Sequence, residues 1–359
     1  MMSDNGHTNG KTAAGTPGSV QLNLVNLSKN DYRGAASTLC AGCGHNSISN
    51  QIIAAAFELN IVPEEVIKLS GIGCSSKSPA YFLNRSFGFN SLHGRMPSVA
   101  TGAMFGDHHL KAIAISGDGD TTNIGMGQFK HIMRRNVRVV YIIENNGVYG
   151  LTKGQFSATA ETGLRLKYQG TNPYPPVDIV QEAMASGATF VARSFAGDAS
   201  QVKALIKAAL SHNGLAVLDI ISPCVTFNNN DDARHSYSWG REHEEPLHDF
   251  NFVPREQEIQ LGEFPEGTTR TVKLHDGSTI VLKKLDRDYD PAERAAAMRL
   301  VEESHSQAVF LTGLIYIDPQ RPSLADIYHL PAERTLNRMT EKELRPSQKM
   351  IEKANAMMF

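Results

Sequence analysis

Gly117-Asp118-Gly119 follows the apolar run AIAI at 112–115, and residues 120–144 separate it from Asn145-Asn146. A carboxylate and a carboxamide at the ends of two successive strands are hard oxygen donors, the kind Mg²⁺ selects. The backbone carbonyl of Val148, two residues beyond Asn146, can complete a three-ligand hook. Two phosphate oxygens and a water would then fill the remaining positions of an octahedral shell. The glycines allow close backbone approach to a ligand. A helix expected to start near Thr121 or Thr122 turns its positive end to the same place, which favours phosphate. Asp120 reads as a helix-start or phosphate-loop residue rather than a direct ligand. GDG alone is a common turn. Strand, GDG, helix, strand and NNGVYG in this order form a far more specific pattern for a metal-anchored diphosphate.

These loops need strands that end at a common edge. Residues 21–225 alternate helix and strand. SISNQIIAAAFELN has apolar residues at spacings of three and four, as a helix does. VIKLSGIG runs from a short strand into a glycine loop, and PSVATGAMFG reads as a small-residue helix. KAIAISGDGD and VRVVYIIENN read as buried strands, the second apolar almost throughout, as when both sheet faces are covered. DIVQEAMASG, DASQVKALIKAALSHNG and LAVLDIIS continue the alternation. The fold class expected is α/β, a mostly parallel sheet with helices on both faces, plus an irregular C-terminal extension. Ligands bind such sheets beyond the carboxyl ends of the strands, so the loops 71–78, 116–123, 144–154 and 222–230 deserve the chemistry. Beyond Cys224 the chain turns polar, with a hairpin expected at Asp276-Gly277 and a helix over PAERAAAMRLVEESH.

The bulk numbers exclude several classes. Lys and Arg total 35 against 37 Asp and Glu, so charge gives no reason to expect nucleic acid or an acidic membrane as partner. No apolar run approaches the ~18 residues of a membrane span. Residues 1–20 read as a flexible polar tail without a secretion signal, and a cytoplasmic location is expected. Disulfides are not expected there. The four cysteines, Cys40, Cys43, Cys74 and Cys224, are either scattered core thiols or ligands of one metal centre.

The GDG–NN arrangement resembles the diphosphate-binding motif of thiamine diphosphate enzymes. CAGCGH, GIGCSSKSPAYF, LHGRMPSVATG, SGDGDTTNIG and ENNGVYGLTKGQFSAT together resemble the beta subunit of two-subunit 2-oxoacid:ferredoxin oxidoreductases, over roughly residues 30–230. The resemblance implies that Cys40, Cys43, Cys74 and Cys224 ligate one [4Fe–4S] cluster. Four thiolates are the number such a cluster needs, and C-x₂-C with two distant cysteines is not a standard zinc-finger spacing. It implies thiamine diphosphate, Mg²⁺ on Asp118, Asn146 and Val148, and coenzyme A as co-substrate. In the family, thiamine takes up the electron pair released when a 2-oxoacid loses carbon dioxide. The electrons pass singly through the cluster to ferredoxin. Zinc has no redox state to serve that purpose.

Further cofactor contacts are expected from Gly44, Ile72, Gly73, Ser75, Ser76, Gly94, Gly117, Gly119 and Asp120, with Tyr149, Gly150, Leu151 and Thr152 wrapping the diphosphate. His45 either reaches the diphosphate or thiazolium or is a hydrogen-bonded structural histidine. His93 is a candidate cofactor contact, and Arg95 a candidate partner for a carboxylate of another chain. Lys77 and Lys153 are candidate carboxylate-binding cations, and their alternative is ordinary solvated lysine. A dicarboxylate such as 2-oxoglutarate needs such a charge, whereas pyruvate does not. The expected activity is therefore CoA-dependent oxidative decarboxylation of a 2-oxoacid, 2-oxoglutarate favoured, to acyl-CoA (succinyl-CoA), potentially reversible. A pyruvate or broad 2-oxoacid enzyme and a zinc-stabilised non-catalytic scaffold are the alternatives. The chain carries about one α/β sheet's worth of alternation and the diphosphate half of the site. An alpha subunit is expected to supply the pyrimidine half with its Glu, in an (alpha-beta)₂ assembly. The expected organisation is a tail at 1–20, a cofactor and cluster domain at 21–230, and a subunit-contact extension at 231–359.

Overall fold

The computed structural model describes residues 20–255, 269–283, 289–307 and 309–358, so the tail expected at 1–20 lies almost wholly outside them. An eight-stranded sheet organises the chain. Its strands are β1 (Val66–Ser70), β2 (Phe87–Asn90), β3 (Lys111–Gly117), β4 (Val139–Asn145), β5 (Phe190–Phe195), β6 (Leu215–Ile221), β7 (Glu244–Pro246) and β8 (Phe310–Ile317). Across the sheet the order is β7-β8-β5-β6-β4-β3-β1-β2. Pairing is parallel everywhere except between β8 and β5. Val139 lies opposite Ala112, and Leu215 opposite Val139, so β3, β4 and β6 start and finish level.

Both faces are covered, as the apolar strands require. On one face α1 (Gly44–Glu58) and α5 (Ala199–Ser211) bury Ile48, Ile52, Val202 and Leu205 against Ile113, Ile115, Val140, Ile142 and Leu218. On the other, α2 (Met96–Gly106), α3 (Met126–Arg135), α4 (Ile179–Ala185) and α6 (Arg294–Gln307) bury Met96, Phe129, Ile132, Ile179 and Val301 against Ala114, Tyr141, Ile143 and Val217. Each fully buried side chain of this size contributes about 1.5–3 kcal/mol, which fixes the strand register and hence where the loops emerge.

Two local readings are corrected. The segment after GDG does not enter an α-helix capped by Thr121 or Thr122. Asp120–Ile124 forms a wide π turn, and α3 starts at Met126 behind Gly125, with no side-chain cap. Such single turns are common at functional sites. The C-terminal residues are also more regular than the sequence suggests, because β8 enters the main sheet beside β5 and α6 packs on its face. The hairpin at Asp276-Gly277 is present, with Thr269–Lys273 antiparallel to Thr279–Lys283 and Gly277 at φ +86°. No helix among the described residues is long and apolar enough to cross a membrane.

Candidate cofactor site

The carboxyl ends of β1, β3 and β4 open into one cavity. His45, Ile72, Gly73, Cys74 and Ser75 line it on one side, and Gly117, Asp118, Gly119, Asp120, Asn146, Val148, Tyr149 and Gly150 on the other. Asp118 is 1% exposed and is fastened from one side. Its Oδ2 accepts from Gly147 N–H (3.1 Å), from the Thr159 hydroxyl (2.8 Å) and from the Ser157 hydroxyl. Its Oδ1 has one long contact, to Asn146 N–H at 3.4 Å, and so remains the less satisfied oxygen. Buried polar atoms normally find partners, and an under-bonded carboxylate oxygen in a lined cavity suits a cation. Asn146 turns its side-chain oxygen back to Val148 N–H (3.1 Å), and Asn228 holds the Asn146 carbonyl (2.9 Å). Gly147 makes this loop possible at φ +75°. Asn145 faces the other way, donating to Asp219 (3.0 Å), and its side-chain oxygen lies 2.9 Å from Thr159 Oγ1, whose single proton serves either Asp118 or Asn145.

Asp120 is a brace. Its Oδ1 accepts from Gly94 N–H (2.7 Å) and its Oδ2 from Ser116 (2.8 Å). A methyl group on Gly71 would lie 2.0 Å from Asp120 Oδ2, so the three loops meet around this carboxylate. Tyr149 lays its ring over Gly119, and its hydroxyl donates to the Gly119 carbonyl (2.9 Å). Gly44 starts α1 in contact with Ser222, where no Cβ fits. His45, in the first turn of α1, is 1% exposed, and its Nδ1 lies 2.6 Å from Ser222 Oγ. Burial lowers its pKa to about 4, so the imidazole is neutral at pH 7.

Glu144 escaped the sequence reading. It is the penultimate residue of β4, is fully buried, lines the same cavity and shares the Ser78 hydroxyl between its oxygens (3.0 and 2.9 Å). Burial pushes its pKa well above the usual carboxylate range. His45 Nδ1 lies 3.8 Å from Glu144 Oε2, and with the imidazole neutral this contact is not an ion pair. Ser78, Ser157, Thr159 and Ser222 were likewise missed. They stand 66, 39, 41 and 177 residues from the side chains they hold, and serine or threonine in a loop carries no signal of its own.

The cysteines adjoin this cavity. A Cβ on Gly150 would meet Cys224 Sγ at 3.5 Å and Cys74 Sγ at 3.6 Å, so both sulfurs abut the loop that carries Asn146. Cys43 N–H donates to the Cys40 carbonyl (3.1 Å), and Thr226 reaches Cys40 Sγ (3.5 Å). Burial lifts Cys43 to about 12, with the charges of Glu144, Cys224 and Cys74 adding to it. Cys74 is raised first by burial and then by Cys224, and Cys40 also acts on it. The four thiols thus share one electrostatic neighbourhood. Among the described residues no three His, Cys, Asp or Glu side chains converge tightly enough for a single ion.

Other expected residues lie at the rim. Ser76 bonds the Gly73 carbonyl (2.8 Å) and Lys77 is half-buried. His93, Arg95, Leu151, Thr152 and Lys153 are exposed, and none of them lines the cavity. Lys153 adopts a left-handed backbone at φ +75°.

Comparison with known proteins fits this geometry. Residues 71–220 match the family described as "Thiamine pyrophosphate enzyme, C-terminal TPP binding domain". A 2-oxoacid:ferredoxin oxidoreductase subunit beta from a Sulfolobus species is 44% identical over 190 residues, covering 53% of this chain and 62% of that protein. The 2-oxoglutarate synthase subunit KorB of Methanocaldococcus jannaschii is 38% identical over 192 residues, covering 52% and 69%. The chain belongs to the beta subunits of 2-oxoacid:ferredoxin oxidoreductases. A solved chain of 2-oxoglutarate:ferredoxin oxidoreductase from Magnetococcus marinus, with 2-oxoglutarate, coenzyme A and succinyl-CoA bound, superposes with a TM-score of 0.72 at 30% identity. That superposition covers 94% of this beta subunit and 99% of that chain. The match to the Sulfolobus beta subunit, by contrast, spans less than two thirds of that protein's length.

Proposed function

We propose that this beta subunit holds thiamine diphosphate through Mg²⁺ and carries out the CoA-dependent oxidative decarboxylation of a 2-oxoacid, with 2-oxoglutarate favoured, in complex with an alpha subunit. The observation that carries the reading is the shared cavity. The loops after β3 and β4 bring Asp118, Asn146 and Val148 together, and a Cβ on Gly150 of the same loop would lie 3.5 Å from Cys224 Sγ and 3.6 Å from Cys74 Sγ. Asp118, Asn146 and the Val148 carbonyl would hold the metal, and the glycines at 117 and 119 would admit the diphosphate. Thiamine diphosphate, when bound, supplies an electron sink for loss of carbon dioxide.

Cys40, Cys43, Cys74 and Cys224 would hold a [4Fe–4S] cluster. Such a cluster would supply a one-electron acceptor beside the cofactor cavity, and ferredoxin would carry the electrons away. Metal or cluster binding would deprotonate thiols that burial holds protonated. Glu144, its pKa raised by burial, and the neutral His45 would present the cavity with a hydrogen-bonding surface. Lys77 and Lys153 would attract the substrate carboxylates at the rim. The pyrimidine-contacting Glu would come from the alpha subunit, in an (alpha-beta)₂ complex in the cytoplasm, with residues 231–359 contributing to subunit contact.

Anaerobic purification with co-purifying chains tests the reading. The expected sample is brown, contains four irons per beta chain, and bleaches near 400 nm when 2-oxoglutarate and coenzyme A are added together. Iron-free protein, or a spectrum indifferent to both, contradicts it.

A further inference from the structure

At the opposite end of the same strands lies a second cavity, of about 660 Å³, within the size range of small-molecule sites. It sits between the start of the sheet and the C-terminal segment 323–332. Arg138, just before β4, and the pair His108-His109, just before β3, form one wall together with Asn213. Met104, Leu324 and Leu330 supply an apolar wall. Strands of seven residues separate the two cavities by roughly 20 Å.

The charges here are unbalanced. Arg138 and Lys111 have no hydrogen-bond or ion-pair partner among the described residues, although both are half-buried. The Nδ1 of His108 is buried without a partner. Three carboxylates lie nearby, one of them (Asp326) in the cavity wall itself, and each accepts hydrogen bonds from groups other than Arg138 and Lys111. Asp326 accepts from Ser323 N–H (2.8 Å), Ser323 Oγ (2.7 Å) and Asn213 Nδ2 (3.1 Å). Asp276 accepts from Ser278 N–H and Oγ. Asp107 accepts from His109 N–H and Asn337 Nδ2. The cations act on one another, and Asp276 and Asp326 act on Arg138 in the opposite sense without forming an ion pair with it. Burial and then Arg138 hold Lys111 below its ordinary range, burial and then Arg138 do the same to His275, and burial and then His109 lower His108. Arg138 is itself lowered by burial.

A guanidinium left unpaired in a lined cavity costs stability that a bound anion would recover, and its fork of donors matches phosphate oxygens. We infer that the cavity between Arg138, His108 and Leu324 is a binding site for a small phosphate monoester, its phosphate on Arg138 with Lys111 behind, and its organic body against Met104, Leu324 and Leu330. The cavity is too large for inorganic phosphate alone, and its apolar wall would go uncovered by it. Nothing in this inference depends on the chemistry at the other end of the sheet.

The test is calorimetric titration of the full chain with AMP, inorganic phosphate and adenosine, each against wild type, Arg138→Met and Lys111→Met. The expected result is one-site binding of AMP, weaker binding of inorganic phosphate that competes with it, and no binding of adenosine. Arg138→Met should weaken AMP at least about tenfold, the usual scale for a charge-assisted contact, while raising the melting temperature of the ligand-free protein. A merely structural arginine would lower that temperature. Lys111→Met should weaken AMP by a smaller factor, and it carries the test if Arg138→Met does not fold. Absence of AMP binding, equal binding of adenosine, or affinity unchanged in the variants overturns the assignment.

Discussion

Strand β3 begins at Lys111, a half-buried cation with no hydrogen-bond or ion-pair partner among the described residues, and ends at Gly117, next to an aspartate held by the segment that follows β4. Strand β4 repeats the contrast, from Arg138 before its first residue to Glu144 and Asn145 at its end. The carboxyl end is built from committed oxygens, with Asp118 Oδ1 left under-bonded. The amino end leaves the Arg138 guanidinium, the Lys111 ammonium and His108 Nδ1 without hydrogen-bond partners among the described residues. One sheet thus carries the proposed cation site at one end and the proposed anion site at the other, separated by the apolar interior of the strands. Unpaired polar groups in otherwise well-bonded surroundings mark both.

The largest effect that can break this contrast belongs to the cysteines. Cys224→Ser should leave anaerobically purified protein without its full four irons. An iron count equal to wild type would remove Cys224 from the ligand set and detach the thiols from the site.

A smaller effect is expected at Thr159, whose hydroxyl joins Asp118 to Asn145. Thr159→Val leaves the Asn145 oxygen without that donor, at a cost of about 1–3 kcal/mol. Thiamine diphosphate should bind roughly tenfold more weakly, and Thr159→Ser should restore it. If Val and Ser behave alike, Thr159 acts by packing rather than by its hydroxyl.

The amino end should reveal itself through pH. His212, 3% exposed and 2.7 Å from Thr189 Oγ1, has its pKa lowered to about 3 by burial first, then by His275 and Arg138. The unfolded chain takes up the proton near pH 6.5 and the folded one does not. This contribution is therefore complete above pH 6.5 and declines as pH falls from there toward 3. Between pH 7 and pH 5 it should remove roughly 2 kcal/mol from urea-unfolding stability, and His212→Gln should flatten that part of the profile. An unchanged slope would mean that the proton finds a home in the folded rim.

The smallest effect is expected at Lys153, exposed at the rim of the cofactor site. Lys153→Ala should raise KM a few-fold for 2-oxoglutarate and less for 2-oxobutyrate, on the scale of a solvent-screened charge pair. Equal changes would take the lysine out of carboxylate recognition.

Much of the carboxyl end was legible in the sequence, because its parts are local. GDG and NN end apolar strands, and a strand ending in such a loop declares its own place on the sheet. The cysteines stood out by their glycine neighbours. What stayed hidden depends on distant pairing. Glu144 reads as one more residue of an apolar strand until Ser78 and His45 are seen to close on it. The π turn at Asp120–Ile124 follows from Asp120 tying Gly94 and Ser116 together, a constraint that helix propensity does not carry. Strand β8 joins the sheet across 115 residues from β5, and FLTGLIYI alone cannot say which neighbour it takes. The amino-end cavity was invisible for the same reason, since Arg138, His108 and Leu324 are brought together by the return of the C-terminal segment.

The most direct test of the account is a titration of Mg²⁺ and thiamine diphosphate into the full chain, as wild type, Asp118→Ala and Arg138→Met. The account predicts saturable binding to wild type and Arg138→Met with closely similar affinity, and loss of binding, by about a hundredfold or more, in Asp118→Ala with its iron retained. Wild-type affinity in Asp118→Ala would contradict it.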